Sequence, residues 1–115
     1  MEEITAAELH ERLGEEGLRI VDIRGESAFA RWHIPGSENV PFPELPNRIE
    51  QFDGAEQVVT VCPVGQSSVR AARLIESYEG VDGEVASLAD GLEGWSYETE
   101  SGLDRHTDEG PEAPF

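Results

Sequence analysis

Lysine is missing from this chain altogether. Its eight basic residues are all arginine, against 25 Asp and Glu, for a formal net charge of −17 over 115 residues. So little positive charge argues against nucleic acid as a partner, because binding it requires cationic side chains that neutralise phosphates. Long hydrophobic runs are missing too: no stretch approaches the roughly 20 apolar residues that a transmembrane helix needs. The start, Met1-Glu2-Glu3, is acidic where a secretory signal would be basic. No membrane partner is expected, and the expected location is the cytoplasm. Cysteine occurs once, as Cys62, which excludes an internal disulfide and a cysteine-only metal site. It also excludes an internal resolving thiol, so a modified Cys62 must be discharged by another molecule. His10 and His106 lack companion ligands, and no metal is expected.

The length fits one domain with a core of its own. Acidic residues run from Glu2 to Glu112 rather than sitting in one tail. Self-repulsion on this scale burdens a small fold in dilute buffer. At about 1 M salt the Debye length falls to about 3 Å and most of that burden disappears. Such a balance fits a salt-loaded cytoplasm, as in halophilic microbes.

Thr5-Ala6-Ala7-Glu8 is a capping box, with Ile4 and Leu9 spaced for a hydrophobic staple. It predicts a helix with Ala6, Leu9 and Leu13 on one face, ended by Gly14 or Gly17. Leu18 to Ile23 reads as a strand, Ser27 to Trp32 as a helical turn, and Asn39-Val40 as a short edge strand. Glu44 to Phe52 is expected to be a short helix after Pro43. Val58 to Cys62 is a buried strand, rich in β-branched residues. Ala71, Leu74, Ile75 and Tyr78 then mark one face of a helix over Ser68 to Tyr78. Val85 to Leu88 reads as a further strand, and Gly91 to Trp95 as a final turn. Alternating strands and helices predict an α/β domain whose parallel sheet is covered on both faces. Its site belongs beyond the carboxyl ends of the strands. The domain is expected over residues 1–98, followed by a loose acidic tail over 99–115.

Cys62 stands at such a strand end, before Pro63-Val64-Gly65-Gln66-Ser67-Ser68 and the start of a helix. A sulfur there faces the positive end of the helix dipole and several unpaired N–H groups. Thiolates in such settings have pKa values of about 3.5–7.5 instead of about 8.5. Most unpaired cysteines are plain core residues. Against that reading, Gly65 permits the positive φ of a tight anion cradle, and no large apolar side chain in the loop seals the sulfur inside. The N–H groups of Val64, Gly65, Gln66, Ser67 and Ser68 are expected to converge on an anion held at sulfur. The side chains of Gln66, Ser67 and Ser68 also suit simple helix capping, and both uses are compatible.

Asp22 and Arg24 end the first strong strand and are read as a structural ion pair fastening loops near the pocket. Arg70 has two open readings: attraction of an anionic substrate, or a solvated helix face paired with nearby acids. His33, before Ile34-Pro35-Gly36, invites a Cys–His dyad; the alternative is a histidine bonding turn backbone. Trp95 is expected to plug the core beneath the loop.

These segments together resemble the rhodanese (thiosulfate sulfurtransferase) family in its single-domain form. Val21-Asp22-Ile23-Arg24, with Phe29 and His33 to Pro41, is similar to the family's first signature. Cys62 to Ala72 is similar to its active-site loop and following helix, and Asp90-Gly91-Leu92-Glu93-Gly94-Trp95 to its closing turn. The resemblance implies a five-stranded parallel α/β domain. It implies that Cys62 takes a sulfane sulfur from thiosulfate or a similar donor as a persulfide. Cyanide, a thiol or a sulfur-carrier protein then removes it. No metal or organic cofactor is implied. Three positions depart from the pattern: Ser67 where many members carry Arg, Trp32 before His33 where Gly is usual, and Asp90 in place of Gly.

Two other classes stay in view. A catalytically silent binding or regulatory module would keep the fold without the chemistry. A Cys-dependent phosphatase or arsenate reductase on the related fold would need Arg after five intervening residues to grip the oxyanion in a bidentate fork. Ser68 stands at that position.

Overall fold

A computed structural model describes residues 1–102. The stretch 103–115, which holds most of the expected tail and His106, lies outside the described residues. Five parallel strands form one sheet: β1 (Glu2–Ile4), β2 (Leu18–Asp22), β3 (Glu38–Asn39), β4 (Gln57–Val61) and β5 (Glu84–Leu88), in the order β1-β5-β4-β2-β3. Three α-helices connect them: α1 (Ala6–Arg12), α2 (Glu26–Arg31) and α3 (Ser67–Ser77). β4 runs through the middle, with Val59 opposite Ile20 of β2 and Ala86 of β5. Val58, Val59, Thr60 and Val61 are all buried, as expected for a parallel strand with both faces covered.

The pleat of the strands divides the core into two layers. Val58 and Cys62 of the β4 segment join Val21, Val85, Ala71 and Ile75 on the α3 face. Val59 and Val61 join Leu9, Ile20, Leu88 and Trp95 on the α1 face. Ile4 and Leu9 share that second layer, so the staple forms. The capping box forms as well: Glu8 N–H donates to Thr5 Oγ1 at 3.1 Å, and Thr5 N–H to Glu8 Oε1 at 2.9 Å.

Two elements differ from the sequence reading. Residues Phe42–Phe52 make a run of 3-10 turns, not an α-helix. Pro46 inside it has no N–H to give and its ring crowds the preceding turn. Strand β1 was not expected at all; with Glu2 and Glu3 exposed and only Ile4 buried, its three residues carry too little apolar patterning to read. The remaining boundaries move by a few residues at most.

Candidate active site

The β4–α3 junction turns the chain through Gly65 at φ +86°. A Cβ at this position would lie 3.1–3.3 Å from Asp90 N, Gly91 N and Leu88 O, so both the dihedral and the space call for glycine. The loop is tied down by the closing turn after β5. Leu92 N–H donates to Cys62 O at 2.8 Å, and Glu93 N–H to Pro63 O at 2.9 Å. Gly91, at φ +66°, lets the two loops touch; a Cβ there would sit 2.5 Å from Gly65 N and Pro63 O. Asp90 beside it has φ +65°, the left-handed region that favours glycine.

This geometry aims amides at the sulfur. Gly65 N–H donates to Cys62 Sγ at 3.1 Å, and Ser68 N–H at 3.2 Å. Ser68 Oγ lies 3.3 Å from the same sulfur, where its hydroxyl can donate to a thiolate. Burial, with Cys62 only 1% exposed, raises the pKa of the thiol. The Ser68 hydroxyl and the amides of Ser68, Gly65 and Val64 lower it, and together they prevail, leaving the thiol below its ordinary value. Of the five amides expected at the sulfur, those of Gly65 and Ser68 donate to it; those of Gln66 and Ser67 are not among its donors. Ser67 instead lines the recess above.

That recess has a volume of about 340 Å³ and opens to solvent. Cys62 lies at its floor, with walls from Ile23, Arg24, Gly25, Ala28, Phe42, Pro63 and Ser67. Arg24 is committed elsewhere. It forks onto the fully buried Asp22 carboxylate at 2.8–3.2 Å, donates to Trp32 O at 2.7 Å, and stacks over the Trp32 ring. Asn39 Nδ2 donates to Asp22 O at 3.0 Å and to Arg24 O at 2.8 Å. The pair fastens the rim, and Trp32 serves as the stacking platform.

His33 sits away from the sulfur. Its Nδ1 is 2.7 Å from Phe29 O, its ring stacks on Phe29, and its Nε2 is 3.5 Å from Glu100 Oε1. Backbone bonds in both directions join His33 to Glu100 at 2.8 Å. Nothing here couples it to Cys62. Arg70 is exposed on α3, stacked over the Phe42 ring at 5.3 Å, and it makes no ion pair among the described residues. It borders the recess through Phe42 without lining it. Trp95 is buried under the closing turn, as expected. The sequence reading passed over Phe42, Asn39, Thr60 and Ser87. For the last two a signal existed: each is a polar residue in the mostly apolar part of its strand.

The fold and the site thus define a parallel α/β domain that presents one cysteine sulfur in a strand–loop–helix amide cradle. The rhodanese-like domain family model matches residues 5–98, and the chain belongs to that family. Its relatives include the thiosulfate sulfurtransferase GlpE of Stutzerimonas stutzeri, 37% identical over 81 residues, covering 70% of this chain and 72% of that protein. Another is an HTH-type transcriptional regulator of Mycobacterium tuberculosis, 33% identical over 92 residues. Here 80% of this chain spans only 40% of the relative's length. Among solved structures, a rhodanese-like domain protein from Staphylococcus aureus superposes with a TM-score of 0.76 at 27% identity, covering 88% of this chain and 98% of that one.

Proposed function

We propose that the protein is a sulfurtransferase that carries a sulfane sulfur on Cys62. The observation that bears most weight is a buried, amide-held sulfur at the floor of an open recess. With thiosulfate as donor, the Cys62 thiolate attacks the terminal sulfur, and the S–S bond of thiosulfate breaks. Sulfite leaves with the bonding pair, and Cys62 becomes a persulfide anion. A thiophilic acceptor (cyanide, a small thiol or a sulfur-carrier protein) then attacks the outer sulfur, and the Cys62 thiolate is restored. No proton or external electron is needed in either half. Amide donors suit this cycle because they serve negative charge on sulfur throughout without reorganising. The Gln66 and Ser67 amides, which do not bond Sγ, are the donors left for the outer sulfur. The relative named as a thiosulfate sulfurtransferase supports this reading, and the apolar walls of the recess suit a donor that sheds its water on entry.

Intact mass after incubation with thiosulfate tests it. The expected result is a gain of one sulfur atom, reversed by cyanide and absent in Cys62→Ser. A chain that takes up no sulfur at either low or high salt, or from a second sulfane donor, is a binding module, and the proposal fails. Hydrolysis of an aryl phosphate without sulfur uptake would point instead to phosphatase chemistry. Buried Ser68 stands where such a loop needs its arginine.

A further inference from the structure

Behind the reacting sulfur a second hydroxyl extends the hydrogen-bond chain. Ser87 Oγ lies 2.6 Å from Ser68 Oγ, which is itself 3.3 Å from Cys62 Sγ. Ser68 and Ser87 are both fully buried. The strand pleat explains the meeting: Val85 packs in the α3 layer, and Ser87 two residues on faces the same way. Thr60, on the same face of β4, donates its hydroxyl to Ser68 O at 2.6 Å and pins the first turn of α3 in place.

The protons of this chain can be counted. Sγ, Ser68 Oγ and Ser87 Oγ offer two hydrogen bonds between them. A thiol brings three protons to two bonds, so one proton has no acceptor within the chain. A thiolate brings two protons to two bonds, with Ser87 donating to Ser68 and Ser68 donating to sulfur. The ionised form closes the chain with no proton left over. Successive hydroxyls also polarise one another, strengthening the bond that ends on the charge.

We propose that Ser87 is a positioning residue for Cys62: its hydroxyl donates to Ser68 Oγ and so keeps the Ser68 proton directed at the cysteine sulfur. This rests on Cys62 being the reactive sulfur of the preceding reading. The charged groups around the sulfur are separate from the chain. Arg24 faces it from the end of β2, held by Asp22; Arg70 lies on α3 beyond Phe42; Asp90 and Glu93 lie in the turn after β5, touching the loop through their backbone. Replacing Ser87 alters none of these charges.

The test is the pH–rate profile for iodoacetamide alkylation of the whole chain, with folding checked by circular dichroism. Ser87→Ala should move the midpoint up by about half a unit, which is about threefold slower alkylation at pH values below both midpoints. Ser87→Val, which has no hydroxyl to donate, should behave like Ser87→Ala, whereas Ser87→Thr keeps the hydroxyl and should hold the original midpoint. If folded Ser87→Ala and Ser87→Val both titrate with the original protein, the positioning role is overturned while the reactive cysteine stands. If the original protein itself titrates like free cysteine, the reading beneath it fails, and the role of Ser87 falls with it.

Discussion

At the scale of single residues, protonation of Cys62 joins reactivity to stability. Burial alone would make this thiol a weaker acid, and the hydroxyl and amides around it reverse the sign. A folded-state pKa below the unfolded value means that the ionised sulfur adds stability. That contribution is complete above the unfolded pKa of about 8.5, and it is lost as pH falls through the folded pKa. Replacing Cys62 with Ser should therefore flatten the rise in stability between neutral and mildly alkaline pH, read from urea midpoints across that range. A variant that keeps the slope of the original protein would show that other groups set it. The cysteine, its glycine and its serines were legible because their chemistry depends on one local turn. Ser87 showed only as a polar residue in a mostly apolar strand; its meeting with Ser68 was not legible, because 25 residues separate it from Cys62 and nothing in sequence spacing marks the contact.

Among the elements, the two glycine turns around the site differ in a way that can be measured. Gly65→Ala would put its Cβ 3.1–3.3 Å from backbone atoms, whereas Gly91→Ala would put its Cβ 2.5–2.6 Å from Gly65 N and the carbonyl oxygens of Cys62 and Pro63. A positive φ costs an alanine about 1–3 kcal/mol; Gly91, at φ +66° and ψ −166°, lies in a region reached essentially only by glycine, and only Gly91→Ala must also push the two loops apart. Gly91→Ala should therefore lose clearly more stability in urea denaturation than Gly65→Ala. Asp90 occupies the same unfavourable region at φ +65°, and Asp90→Gly is expected to cost nothing or gain up to about 1 kcal/mol. The departure from Gly at this position is thus a tolerated strain in the closing turn. Periodicity revealed α3 and β4 because their apolar faces are long enough to show a period. It missed β1, which is three residues long, and misjudged Phe42–Phe52, where Pro46 holds the chain in 3-10 turns.

For the whole molecule, charge is the governing quantity. Twenty-five acidic residues face eight arginines, and within the described residues Arg19, Arg24 and Arg48 are the ones in ion pairs. Most of the acidic surface therefore repels itself, and screening should relieve it. The thermal midpoint is expected to climb as KCl is raised towards molar concentrations, and turnover with an anionic donor to climb with it. A thermal midpoint indifferent to salt would mean that the acidic residues are spaced widely enough not to matter, and would remove the reason to place the protein in a salt-loaded cell. No helix among the described residues is long and apolar enough to cross a membrane.

Strand–helix alternation, the capping box, the cysteine at a strand exit and the acidic excess were all settled by the amino-acid order. Each depends on neighbours within a turn or on a sum over the chain, and such quantities survive without coordinates. Only the folded molecule could decide which distant groups share a wall. It drew Ser87 of β5 beneath Ser68, closed the turn of Gly91 over Gly65, and joined His33 to Glu100. Those choices belong to strand order and pleat parity. In a parallel sheet they set which side chains meet across long crossovers, a separation over which local pattern carries no record.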